Sequence, residues 1–123
     1  MSDDVDLRGW VAREEVDALY DSATVTVFPT RFEGFGLPVL EAMSSGCPVI
    51  CSDIGVLGEL GADAAVYADT TDPAALADAI EALLADPAEQ ARLAADGLQQ
   101  AALFTWEDAA ARTLASLLEV ARR

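Results

Sequence analysis

The sequence predicts an α/β fold: a parallel sheet of about four short strands alternating with helices and followed by a helical C-terminal tail. Three observations carry this. Short runs rich in β-branched or small apolar residues recur at 5–11, 24–28, 48–52 and 64–68, stretches with helical spacing separate them, and from residue 72 onward only helical signals occur. Strands joined through helices in one sheet take right-handed crossovers, and ligands in such sheets bind beyond the carboxyl ends of the strands.

Taken in order, Val5, Leu7 and Trp10 suggest a first strand. Arg13-Glu14-Glu15 opens a helix whose apolar positions Val16, Leu19 and Tyr20 recur at helical spacing to about Ser22. The strand at 24–28 is closed by Pro29, which has no N–H to give a ladder. A glycine-containing loop leads to a helix from Leu37 to about Ser45, stopped by Gly46. Pro48 to Ser52 is nearly all apolar, as a strand covered on both faces should be. A short, weak helix around 56–60 and a last strand at 64–68 follow. Asp72-Pro73 caps a helix striped by Leu76, Ile80, Leu83 and Leu84, and Asp86-Pro87 with Glu89 starts another, which Gly97 weakens in its middle. Thr105, with Asp108 three residues on, opens a final helix bearing Ala110, Leu114, Leu117, Leu118 and Ala121 on one face, with Arg122 and Arg123 at its C-terminal dipole.

The chemistry gathers at one bend. The strand–glycine turn–helix passage from Phe28 to Met43 points backbone N–H groups and the positive end of a helix dipole outward, an arrangement that suits a phosphate. Gly34 and Gly36 permit close approach, and Pro38 stands where a missing N–H costs nothing. Glu33 precedes the glycines and Glu41 lies about one turn into the helix. An anion held between them leaves both acids free to grip hydroxyls, as on a sugar.

Composition narrows the classes. The 123 residues suffice for one domain with a modest core. Acidic residues outnumber basic ones 22 to 7, for a formal charge of −15, with no Lys and no His. Such a field disfavours nucleic acid and anionic membrane surfaces, and makes any diphosphate site work by local geometry against the global charge. The sequence has no uninterrupted apolar run of membrane-spanning length, and an acidic N-terminus, so a cytoplasmic protein without an integral membrane segment is expected. Cys47 and Cys51 lack the His or further Cys of a usual zinc site and read as small buried side chains in a reducing compartment.

Glu33 to Glu41 reads E-G-F-G-L-P-V-L-E, with seven residues between the acids. It resembles the two-glutamate motif of the retaining nucleotide-sugar glycosyltransferases of the GT-B fold, the group 1 or family-four class. Val5 to Val11, Val27-Phe28-Pro29, Glu41-Ala42-Met43, Gly46 to Ile50 and Phe104-Thr105-Trp106 are similar to the same family's donor-binding domain. The resemblance implies that residues 1–123 are part of a Rossmann-like C-terminal, nucleotide-sugar-binding domain, with the N-terminal acceptor domain and the opening strands of the donor domain outside the sequence. It implies a nucleotide-sugar donor and transfer of a hexose to an acceptor hydroxyl with retention, needing neither metal nor other cofactor. Glu33 becomes the acid at the reacting sugar, the catalytic position. Glu41 becomes the ligand of the ribose hydroxyls, and the N–H groups of Gly34, Phe35, Gly36 and Leu37 face sugar and diphosphate.

Two other readings compete. Gly34 to Val39 imitates a dinucleotide fingerprint with Asp53 near the ribose position, but Val39 fills the place where a small residue permits close packing. A phospho-acceptor receiver would use Asp53, yet needs the lysine this chain lacks. Arg31 and Glu59 read as surface residues, and Phe104 and Trp106 as packing. The family's cationic pair for the leaving diphosphate lies outside the sequence, so little transfer is expected from this chain alone, and a non-catalytic binding or assembly module is the alternative. An open sheet edge is expected beside residues 24–28, repaired by dimerisation or by strand rearrangement, and an acceptor-domain polypeptide is a further expected partner.

Overall fold

The computed structural model describes residues 4–122. The elements run α1 (Arg13–Ser22), β1 (Thr26–Phe28), α2 (Leu37–Ser44), β2 (Val49–Ser52), α3 (Gly55–Gly61), a 3₁₀ turn (Ala62–Ala64), β3 (Val66–Ala68), α4 (Pro73–Leu84), α5 (Pro87–Ala101) and α6 (Trp106–Ala121). The three strands are parallel in the order β1-β2-β3, with Thr26 opposite Val49 and Ile50 opposite Val66.

The central strand explains the core. All four residues of β2 are buried, and alternation sends Val49 and Cys51 into one cluster and Ile50 into another. The first cluster joins Val39, Ala42 and Met43 of α2 to Leu57 and Leu60 of α3; the second joins Ile50 to Leu83 of α4 and Leu93 of α5. Helices therefore cover both faces, as the apolar run predicts. Cys47 and Cys51 are buried, unpaired members of the first cluster.

The caps read from the sequence form. Asp72 accepts from Ala74 N–H at 2.9 Å, Asp86 from Glu89 N–H at 3.0 Å, and Thr105 Oγ1 from Asp108 N–H at 3.1 Å. Gly46 stops α2 with φ +69°. Gly97, expected to weaken α5, sits inside an unbroken helix: a Cβ there would lie 3.3 Å from Met43 Cγ, so the glycine lets α5 press onto α2. The expected Arg123 contribution to the last helix lies outside the described residues.

One expected strand is absent. Residues 5–11 form no strand, and Val5, Leu7 and Trp10 are 53%, 71% and 91% exposed. An extended segment becomes a strand only when a neighbour completes its ladder, and none of β1, β2 or β3 pairs with it. The segment is held instead by Arg8, which binds Asp6 and Glu15 at 2.7 and 2.6 Å. Among the described residues the sheet therefore has three strands rather than about four. The second correction concerns Trp106, read as a packing residue but 83% exposed. It opens α6, which has no buried residue and presents Leu114, Leu117 and Leu118 to solvent.

Candidate functional site

β1 and β2 are parallel neighbours, so the loops after Phe28 and after Ser52 leave the sheet at the same end. The first of these loops, 29–36, carries the acids and glycines. Gly36 is its fixed point: buried, at φ +98° and ψ 39°, it is the residue from which α2 starts. A Cβ at this position would lie 2.6 Å from Leu57 Cδ2 and 3.3 Å from Leu60 Cδ2. The turn therefore rests on two core leucines of α3 that only a glycine can approach. Pro38 follows in the first turn of α2, where no N–H is required.

Glu33 is half-buried, and its Oε1 accepts from Gly34 N–H at 3.0 Å and from Phe35 N–H at 3.5 Å. The amides of this bend thus converge on a carboxylate oxygen supplied by the chain. Thr30 Oγ1 donates to Phe32 O at 2.8 Å and shapes the approach to it. Gly34 lies in open space, while Phe35 and Leu37 are 46% and 51% exposed.

Glu41 lies on the first turns of α2, its side chain 28% exposed. Its Oε1 receives Arg13 Nη1 at 2.5 Å, and Tyr20 O–H points to Oε2 at 3.4 Å. Arg13 also holds Asp17 at 2.8 Å, and the two carboxylates raise the guanidinium above its already high range, Glu41 more strongly. Burial, then the charge of Glu41, pushes the Tyr20 hydroxyl up from its ordinary value. Neither Arg13 nor Tyr20 stands out as a site residue in the sequence. The available signal is that they lie seven apart, two turns along one face of α1, which packs against α2.

Beside Glu41, α2 and the start of α6 enclose an open groove of about 570 Å³, with Phe35, Leu37, Leu40, Phe104 and Trp106 among its lining residues. Phe35 and Phe104 meet edge to face with centroids 6.2 Å apart. Arg31, Asp53 and Glu59 are exposed, and Val39 is fully buried in the core, which leaves no space of the kind a dinucleotide fingerprint requires there. Among the described residues no helix is long and apolar enough to cross a membrane.

Residues 1–100 match the family described as glycosyl transferases group 1. The O-antigen chain mannosyltransferase B of Escherichia coli is 42% identical over 106 residues, covering 86% of this chain and 28% of that protein. The MMP alpha-(1->4)-mannosyltransferase of Mycolicibacterium hassiacum is 37% identical over 119 residues, 94% of this chain and 29% of the relative. The solved sucrose-phosphate synthase from Thermosynechococcus elongatus superposes with a TM-score of 0.80 at 36% identity, over 93% of this chain and 30% of that one. The chain thus spans under a third of each of these proteins, and its three-stranded α/β layer matches a piece of a Rossmann-like GT-B domain. The chain belongs to the group 1 glycosyltransferases.

Proposed function

We propose that this chain is the nucleotide-sugar-binding part of a retaining hexosyltransferase. The observation that carries the reading is the pair of acids bracketing a glycine turn at the start of α2, at the carboxyl end of a parallel sheet. In this reading the first amides of α2 and the bend receive the diphosphate, Glu41 binds the ribose hydroxyls, and Glu33 holds hydroxyls of the departing hexose. Donor entry requires Glu33 to release the Gly34 and Phe35 amides it now engages. An oxocarbenium-like transition state depends on such hydroxyl contacts and on charge relief at the leaving phosphate.

The second requirement is poorly met within the chain. It has no Lys, and Arg8, Arg13, Arg92 and Arg112 are each committed to carboxylates, which leaves Arg31 as the single cation of the 29–36 loop. We therefore assign it donor recognition, with the cations and the acceptor site contributed by a further domain or polypeptide. The buried thiols of Cys47 and Cys51 support our reading of a reducing, cytoplasmic setting. The exposed stripe on α6 favours a second reading, an assembly module without catalysis of its own.

Thermal unfolding with UDP, GDP, ADP and their hexose conjugates tests the assignment. One base is expected to raise the midpoint, and Glu41→Ala to reduce the rise while the unliganded midpoint stays within a few degrees. No response to any of these nucleotides would overturn donor binding and leave the assembly reading. Hexose transfer by the 123-residue chain alone would overturn the division of labour.

A further inference from the structure

The surroundings of Glu41 go beyond its role as a hydroxyl ligand. One guanidinium arm of Arg13 holds Glu41 Oε1 at 2.5 Å and the other holds Asp17 Oδ1 at 2.8 Å, while Tyr20 O–H faces Oε2 at 3.4 Å. Asp17 is one turn along α1 from Arg13, so the fork is fixed to its own helix before it reaches across to α2. A glutamate on a free stem would lose rotamer freedom on engaging a ligand; held at Oε1 and contacted more weakly at Oε2, it has lost part of that freedom beforehand. A carboxylate offers about four lone-pair sites, so one partner on each oxygen leaves each with an acceptor position, the pattern a vicinal diol fills. Arg13 also sets a positive charge against this acid in a chain of formal charge −15, which reduces the repulsion an arriving diphosphate meets there.

We propose that Arg13, supported by Tyr20, is a positioning residue that presents Glu41 in the orientation for binding the two hydroxyls of the donor ribose. The inference rests on the ribose-binding reading of Glu41 given above. An ion pair that merely fastened α1 to α2 would change stability and treat all nucleotides alike. One that blocked Glu41 would, on removal, tighten ribonucleotide binding.

The test is calorimetric binding of UDP, GDP and ADP to the full chain, then of the 2′,3′-dideoxy form of whichever binds. The unsubstituted chain is expected to prefer the ribonucleotide. Arg13→Ala should weaken ribonucleotide binding about tenfold and leave the dideoxy form within about twofold, so that discrimination collapses. Arg13→Lys should restore part of it, because an ammonium reaches Glu41 but cannot hold Asp17 through a second arm. Tyr20→Phe should move the ratio the same way by less. An unchanged ratio in Arg13→Ala, or tighter ribonucleotide binding, overturns the proposal. Should that variant fail to fold, Arg13→Lys and Tyr20→Phe carry the same comparison. Glu41→Ala separates the two levels: if it collapses discrimination and the Arg13 variants do not, only positioning fails, whereas if it leaves discrimination intact the ribose reading fails and the proposal with it. Absence of binding by all three nucleotides overturns both.

Discussion

Half-buried Tyr67 and buried Cys51 show how single groups make the stability of this chain depend on pH. Tyr67 O–H donates to Ala62 O at 2.8 Å, with Leu57 O of α3 at 3.3 Å as a weaker second acceptor. Burial first, then nearby acidic groups beginning with Cys51, pushes its hydroxyl up from 10.0 to about 12. Burial, then Asp53, pushes the Cys51 thiol up from 9.0 to about 11. In both cases the fold favours the neutral form, so the folded chain keeps protons across a range where the unfolded chain has released them. Their contribution is therefore complete below pH 9.0 and is lost as pH rises through about 11 for Cys51 and about 12 for Tyr67. The chain has no Lys, so no ammonium titrates in this window. The urea midpoint is expected to fall between pH 9 and 12. Tyr67→Phe should flatten the upper part of the fall and Cys51→Ala the lower part. A midpoint constant over this range would show that neither environment favours the neutral form.

Among the elements, the contact between the glycine turn and α3 is the most demanding. Gly36→Ala combines a positive φ with a Cβ 2.6 Å from Leu57, and the expected loss is about 2 kcal/mol or more by chemical denaturation. Gly34→Ala places its methyl in open space and should change stability by less than about 0.5 kcal/mol. Equal effects would show that Gly36 does not anchor the turn. These two glycines also mark the boundary of what the sequence reveals. Both were legible as belonging to a turn, along with the acids and the start of α2, because glycine, proline and helix-terminus chemistry are local. Which glycine is packed and which is free depends on Leu57 and Leu60, more than twenty positions along the chain, and no local signal contains that. The same reasoning explains Gly97, whose neighbour is Met43, and the partners of Glu41, which come from another helix. It explains residues 5–11 as well: their apolar content reads as a strand, but a strand is completed only by a neighbouring chain segment.

At the scale of the whole molecule an open strand edge competes with charge. Thr26 N–H points to Pro48 O at 2.8 Å, so the N–H of Val27, one residue on, points away from β2 to a side where no other strand of the described sheet lies. An edge of this kind recruits another strand, and the apolar face of α6 adds surface that water leaves uncovered. The formal charge of −15 opposes the approach of a second copy, and salt weakens that opposition while leaving the edge unchanged. Sedimentation velocity on the full chain should therefore give a monomer at low ionic strength and a growing dimer as sodium chloride is raised toward about 0.5 M, where the Debye length is near 4 Å. Val27→Pro removes the outward N–H at an edge position that tolerates proline, and should abolish the dimer while the helical circular dichroism persists. A monomer at every salt concentration would mean that the edge is closed by something other than a second copy. A salt-driven dimer that survives Val27→Pro would move the contact from the edge of β1 to the leucines of α6.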